Sequence, residues 1–457
     1  MTRSPGWWSR VRRCSRTPRP RSCRAARRVR RSPPKPRTAK WPAIGEPFGP
    51  RLGGIDRPSV LQPISAGFVA AISGFASSFV LVIAGLQAVG ASSAEAASGL
   101  FAVCIAVAIT NVVAALTLRI PLAFAWSTPG AAVLLAAATP GLKFSDAVGA
   151  FLVSAALMLL CGLWPLLGRA ITRIPRPLAS ALLAGVLLPI CLKPVEAVAT
   201  LPLLAAPIVI VWLVLYRLAP RWAVPVAMVV AVVSILIAAG TDWVGEAAIA
   251  PQLTFVAPTF DLFTILSVGL PLFVVTMAGQ NVPGFAVMSA NGYVAPPRFA
   301  LVSGGLGSGV AALFGGHAIN LGAITAAIMA GPESHTDKDR RWIATLTNGI
   351  LYVPLGAGAG LAAALITAAP AILVTAVAGL AVLGALITSI VNALEQPEHR
   401  VAAIVTFVVV VSGIVIAGIG SALWGLAAGG LVMAWLGWRR RPIPTVPSFE
   451  PSSDSDE

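Results

Sequence analysis

Composition restricts the answer sharply: of 457 residues, 57% are hydrophobic and only 11% are charged, with a mean hydropathy of +0.85. No ordinary soluble domain has this balance. The net charge of +16 would point to a nucleic-acid partner only if it were spread over the chain, and it is not.

Arginines crowd the first segment, residues 1–57, where they mix with proline and serine. Nothing there interleaves aromatics or spaces its charges like a nucleic-acid module, so no nucleic-acid partner is expected. The segment reads as a basic disordered tail, as a polybasic arm on anionic lipid, or as a product of start-codon choice, the next methionine being Met158. Arg12 and Arg13 are not followed closely by an apolar stretch, which argues against an export signal. Residues 441–457 read as a second disordered tail.

Between the tails, from Ile64 to Trp438, apolar segments recur at about 20 residues, the length a hydrocarbon core demands. Breaks at proline, glycine and charge clusters give fourteen spans: 64–90, 98–118, 120–140, 145–167, 178–192, 200–217, 222–240, 261–281, 298–313, 315–331, 342–366, 371–392, 400–417 and 419–437. The alternation of a membrane β-barrel is absent. The expected fold is all-α and integral to a cytoplasmic (inner) membrane, with residues 58–440 as the transporter domain.

Charge orients the spans. Arg119, Arg169, Arg173, Arg176, Arg217, Arg221, Arg298, Lys338, Arg340, Arg341, Arg400 and Arg439 to Arg441 fall in every second loop. The opposite loops hold Glu95, Lys143 with Asp146, Lys193 with Glu196, and Asp242 with Glu246. Both termini are therefore expected in the cytoplasm. Five cysteines, at 14, 23, 104, 161 and 191, form no CxxC pair and read as small apolar residues.

An internal repeat accompanies the count. The first span reads Phe79-VLVIAGLQAVG and the eighth Phe273-VVTMAGQNVPG, each carrying an Ala-Gly followed by a glutamine (Gln87, Gln280) and closing on glycine (Gly90, Gly284). About forty residues on, each half shows a polar break, PLAFAWSTPGAAVLL from Pro121 and GGHAINLGAIT from Gly315. Seven spans separate the copies, so the halves run in opposite orientation: a 7+7 inverted repeat with substrate expected at its junction.

Spans three and ten should be broken. Pro129 disfavours α conformation at Thr128 and suits a helix's first turn, which makes the stretch before it extended and starts a half-helix near Thr128. Paired Gly315 and Gly316 predict the second break, with a half-helix starting near Asn320. Two helix N-termini at a common centre offer unpaired N–H donors and a positive dipole end, a setting for a small anion. Around that centre the candidate binding residues are Gln87, Trp126, Ser127, Thr128, Gly130, Gln280, Asn281, Gly316, His317, Asn320 and Gly322. Phe75, Phe79, Phe124, Trp126 and Phe285 are candidates for an apolar wall.

The same residues admit structural readings. Gln280 and Asn281 would cap a helix end at Pro283-Gly284, Ser127 and Thr128 would bond to their own helix, and His317 would be an interhelical hydrogen bonder. No Asp or Glu lies mid-span, so His317 is the expected proton-coupling group, the alternative carrier being the substrate's own carboxylate.

At these residues the chain resembles the BenE-type benzoate/proton symporters. The strings that carry the likeness are Val275-TMAGQNVPGFAVMSANGY, Phe314-GGHAINLGAITAAIMAGPE and Gly418-IGSALWGLAAG, within about residues 55 to 438. The resemblance implies the amino acid–polyamine–organocation superfamily and the fold of nucleobase and sulfate carriers. Spans 1–4 and 8–11 would then form a core and spans 5–7 and 12–14 a gate, with substrate between spans three and ten against span eight. Nucleobase relatives place glutamates in spans eight and ten, where this chain has Gln280, Asn281, His317 and Asn320. That departure suits a ligand that brings its own negative charge.

The leading expectation is import of benzoate or a similar aromatic carboxylate with protons; the alternative is a carrier of another small anion or a nucleobase. HExxH, GxSxG, paired intramembrane aspartates and a P-loop are all missing, so no enzyme, metal site or cofactor is expected. Lipid, substrate and protons are the expected partners, and a homodimer is compatible with the sequence.

Overall fold

The computed structural model describes residues 60–137, 141–164, 175–240, 251–416 and 418–437. The two expected tails, and the charged positions Arg169, Arg173, Asp242, Glu246 and Arg439 to Arg441, lie outside the described residues.

In chain order the main elements are α1 (Leu61–Ala88), α2 (Ser93–Leu118), β1 (Phe124–Trp126), α3 (Thr128–Ala136), α4 (Phe144–Leu163), α5 (Arg176–Thr200), α6 (Pro202–Leu218), α7 (Pro220–Ala239) and α8 (Leu262–Ala290). They continue with α9 (Pro297–Ala312), β2 (Ile319–Leu321), α10 (Ala323–Ala330), α11 (Trp342–Ala357), α12 (Ala359–Ala368), α13 (Ala371–Leu394), α14 (Arg400–Val411) and α15 (Ser421–Gly437). Among the described residues, α1, α2, α4, α5, α8 and α13 are each long and apolar enough to cross a membrane. The pair α11–α12, bent by 52°, makes a seventh if it is one span. This is a mostly helical, multi-pass membrane protein.

Local sequence explains the boundaries. The α2 helix opens on a capping box: the Ser92 hydroxyl accepts from Glu95 N, and the Glu95 carboxylate accepts from Ser92 N at 2.8 Å. Asp261 caps α8, accepting from Thr264 N at 2.7 Å and from its hydroxyl, and these bonds hold the Asp261 carboxyl below the usual range.

The α8 helix corrects one expectation. It does not end near Asn281 but runs on to Ala290, through Pro283. Two π turns, Ile265–Gly269 and Met277–Asn281, make this possible. Each stops two residues before a proline, Pro271 and Pro283, whose ring would otherwise strike the carbonyl four residues back. Widening the turn there removes the clash, so Gln280 and Asn281 are mid-helix residues and not a surface cap.

Helices approach closely where glycine faces a neighbour's backbone, as is usual in membranes. A β-carbon on Gly305 of α9 would lie 2.8 Å from Leu159 N of α4, and one on Gly349 of α11 would lie 3.0 Å from Ala108 O of α2. Cys104, Cys161 and Cys191 are free thiols, the first two buried.

At the centre, β1 and β2 pair antiparallel in the register Phe124↔Leu321, Ala125↔Asn320, Trp126↔Ile319. Ser127 N donates to Ala318 O and Gly322 N to Ala123 O, closing both ends of the ladder. Extended backbone at membrane depth persists only where its outer edges are also satisfied. Asn111 of α2 serves β1, accepting from Phe124 N at 2.7 Å and donating to Phe124 O at 2.9 Å. For β2, the Ser308 hydroxyl accepts from Ile319 N at 2.9 Å and the Asn281 Oδ1 accepts from Leu321 N at 2.9 Å.

Candidate functional site

Each strand runs directly into a short helix. The α3 helix begins at Thr128, where expected. The α10 helix begins at Ala323, three residues later than expected, because Ile319–Leu321 are taken up in pairing with β1. Both helix N-termini thus face the ladder. They do not meet at one point, but stand at its two ends, about 13 Å apart for four residues of strand.

The two ends differ in what they offer. The Ser127 side chain caps α3, accepting from Gly130 N at 3.0 Å, while Ala131 N donates to Ser127 O and Pro129 has no N–H. Only Thr128 N remains there. Gly322 gives α10 no side-chain cap, and the N–H groups of Ala323, Ile324 and Thr325 have no acceptor among the described residues. The α10 end therefore carries three free donors and the positive end of its dipole.

Both α1 and α8 run along the ladder. On α8, Thr276 shares a hydrogen bond of 2.8 Å with the Ser127 hydroxyl, and a β-carbon on Gly279 would touch Pro129 and Leu183. Further along, Asn281 holds Leu321, and a β-carbon on Gly284 would lie 2.6 Å from Leu321 Cβ. Gln280 lies between these contacts, partly exposed and without a hydrogen-bond partner among the described residues. On α1, the Ser78 hydroxyl accepts from Trp126 Nε1 at 2.8 Å.

An aromatic run crosses this region. Phe79 stacks on Phe75 at 5.2 Å, Phe75 meets the Trp126 edge at 5.6 Å, and Trp126 meets Tyr352 at 5.5 Å and 77°. Accessible surface nearby comes from Phe75, Ala125, Thr128, Gln280 and Ala323, all partly exposed, and from Ile324, which is 76% exposed.

His317 is fully buried, its Nε2 3.0 Å from Ser127 O. That oxygen only accepts, so Nε2 carries the hydrogen, and Nδ1, buried with no partner among the described residues, is left as a bare acceptor. Asn320 is 1% exposed, with both amide atoms unpartnered among the described residues. As the cross-strand partner of Ala125 it shares that residue's face of the ladder.

Several expected members take other places. Gln87 lies in the last turn of α1, donating to the Thr367 hydroxyl at 3.3 Å. Nine residues of helix put it about 13 Å beyond Ser78, away from the ladder. Asn281 is 1% exposed and spends its oxygen on Leu321 N, its amide nitrogen lying 3.3 Å from Met277 S. It holds β2 and does not reach open space. Gly316 and Gly130 are contact glycines: their β-carbons would lie 2.8 Å from Val103 Cγ1 and 2.5 Å from Leu272 Cδ1. Phe124 is a core side chain, fully buried. Sequence reasoning missed Ser78, Asn111, Thr276, Ser308, Ile324 and Tyr352. The polar ones had a signal, since each interrupts an apolar span. A groove of about 430 Å³ between α2 and α9 is almost wholly apolar and holds none of the groups described above.

Two broken spans paired through short strands inside a multi-pass helical body are an arrangement that membrane transporters use. Residues 58–435 match the family described as benzoate membrane transport protein, and the chain belongs to that family, one of transporters and not of enzymes. It is 40% identical over 382 residues to the inner membrane protein YdcO of Escherichia coli (strain K12), covering 83% of this chain and 96% of that protein. Against the benzoate membrane transport protein of Acinetobacter baylyi (strain ATCC 33305 / BD413 / ADP1) it is 31% identical over 375 residues, covering 81% and 93%. Its fold is similar to the transmembrane domain of a cyanobacterial bicarbonate transporter, BicA, with a TM-score of 0.52 at 15% identity, covering 81% of this chain and 97% of that one.

Proposed function

We propose that this chain imports benzoate or a similar aromatic carboxylate, together with protons, across the cytoplasmic (inner) membrane. The observation that carries the reading is the α10 end, where three free N–H donors stand beside the exposed Ile324 and near the run Phe75–Trp126–Tyr352. Donors without acceptors favour an oxyanion, and an apolar surface next to them favours a ring on that oxyanion. The Gln280 amide and the Asn320 amide, unpartnered among the described residues, complete the polar side. Uptake of labelled benzoate into proteoliposomes, with and without an inward proton gradient, is the test. Accumulation driven by the gradient supports the reading, and its absence refutes it. The donors alone would also serve another small anion, so labelled bicarbonate is the comparison; uptake of it in preference to benzoate favours that second reading.

The arrangement we infer is fourteen spans in a nucleobase-carrier-like 7+7 inverted repeat within the amino acid–polyamine–organocation superfamily. Its core would be α1–α4 and α8–α12, its gate α5–α7 and α13–α15. In support, each expected span overlaps a helix, a bent pair or a strand–helix unit, and the two strand–helix units fall at spans three and ten. Both termini would be cytoplasmic. In a background without native cysteines, Lys143→Cys is expected to react with an impermeant thiol reagent in intact cells and Lys338→Cys to be protected. The reverse pattern would overturn this orientation.

His317 is the proposed proton carrier. Its free Nδ1 accepts the proton while Nε2 stays on Ser127 O, so proton and anion move with little net charge. His317→Gln keeps a hydrogen bond but cannot titrate. It should lose gradient-driven accumulation and retain exchange of labelled for unlabelled substrate. Should the variant still concentrate substrate, the proton travels on the substrate's carboxylate.

A further inference from the structure

Tyr352 of α11 belongs to none of the contacts assigned above except the edge-on packing with Trp126. It is 1% exposed, and its hydroxyl makes no hydrogen bond with any described residue. Buried tyrosine hydroxyls ordinarily find a partner, because an unpaired polar group out of water is costly. Phenylalanine would fill the same space against Trp126 without that cost.

The position of the hydroxyl explains what it is for. A β-carbon on Gly74 of α1 would lie 3.1 Å from the Tyr352 oxygen and 3.6 Å from Thr325 Cγ2. The hydroxyl and the first turn of α10 therefore face each other across a glycine that adds nothing to the space between them. The nearby Gly74 carbonyl already accepts from the Ser77 and Ser78 hydroxyls, at 3.0 and 3.2 Å. The N–H groups of Ala323, Ile324 and Thr325, without acceptors among the described residues, belong to that same first turn of α10. The one acceptor named here already has its donors, while the Tyr352 hydroxyl and the α10 N–H groups have no acceptor among the described residues.

We propose that the Tyr352 hydroxyl donates a hydrogen bond to the substrate carboxylate held at the first turn of α10, a proposal that rests on the aromatic-carboxylate reading above. One carboxylate oxygen takes the backbone donors and the other takes the phenol. The Tyr352 ring, standing edge-on to Trp126, then limits how the substrate's ring lies. The selected class is a planar ring carrying a carboxylate directly, and a neutral amide such as benzamide lacks the second oxyanion oxygen that the phenol would bond.

Binding of benzoate and benzamide to the purified full chain and to Tyr352→Phe, by calorimetry in detergent, tests this. Removing a hydroxyl with no protein partner should leave thermal stability unchanged or raise it, so the variant folds. Benzoate affinity is expected to fall at least tenfold, with the preference for benzoate over benzamide reduced by a similar factor. Gly74→Ala, which crowds the hydroxyl with a methyl group, should weaken benzoate in the same direction. If the wild-type chain binds benzoate and Tyr352→Phe binds it equally well, the hydroxyl bonds only to water and the proposal falls, while the aromatic-carboxylate reading stands. If the wild-type chain itself fails to bind benzoate, both fall together.

Discussion

Gly322→Leu is expected to abolish substrate uptake. A β-carbon at this position would overlap the Thr325 hydroxyl oxygen and lie 3.0 Å from Ala125 Cβ, so no side chain fits between α10 and β1 as they stand. Gly322 is also the residue that leaves α10 uncapped, and the three free N–H groups follow it directly. A leucine there must push the first turn of α10 away from β1, and whatever space remains is filled by its own methyl groups. Gly322→Ala is milder, since Thr325 can rotate away from one methyl. A loss of roughly tenfold in apparent affinity, equivalent to about 1.4 kcal/mol, is expected for it. Gly430 of α15 has nothing within 4 Å of a built β-carbon, so Gly430→Leu is the control that should transport normally. Uptake should be read beside size-exclusion profiles of the purified variants. Normal transport by Gly322→Leu would mean that this helix end binds no substrate.

The ends of the broken spans were legible because rule-breaking residues mark them. Pro129 one residue after Thr128, and paired glycines before His317, disfavour a continuous apolar helix, and the structure turns extended at both places. What joins them was not legible. The pairing of Phe124–Trp126 with Ile319–Leu321 spans nearly two hundred residues of chain, and neither three-residue strand carries a period that distinguishes it from helix. Asn281 shows the same limit from another side. Its residue type suits a ligand donor and a strand-edge acceptor equally, and only the partner on β2 decides between them. The continuation of α8 through Pro283 was not legible because a π turn, which lets a helix pass through proline, leaves no mark in composition. Tyr352 was invisible for a plainer reason: one aromatic in an apolar helix looks like core until its hydroxyl is seen without a partner.

Asn111→Leu is the substitution expected to cost most in stability. Its amide oxygen accepts from Phe124 N at 2.7 Å, and its amide nitrogen donates to Phe124 O at 2.9 Å and to Asn348 Oδ1 at 3.1 Å. Leucine has the same branched skeleton and is larger, so the change leaves no cavity, and its cost comes chiefly from these lost bonds with some added crowding. It strands a buried N–H and a buried C=O on β1, each costing about 1–3 kcal/mol, or roughly 2–6 kcal/mol together. No water reaches them at this depth to offset the loss. The β1 strand would then release its outer edge, and with it the alignment of Thr128 and Trp126 against α8 and α1. Asn348→Ala provides the contrast: it removes only the third bond and leaves both backbone groups of Phe124 paired, so about 1 kcal/mol is expected. In thermal melts of the purified protein, Asn111→Leu should shift the midpoint several times further than Asn348→Ala and should abolish uptake, while Asn348→Ala retains it. Equal shifts for the two variants would mean that Asn111 matters only through its contact with Asn348, and that β1 does not depend on a side chain for its edge.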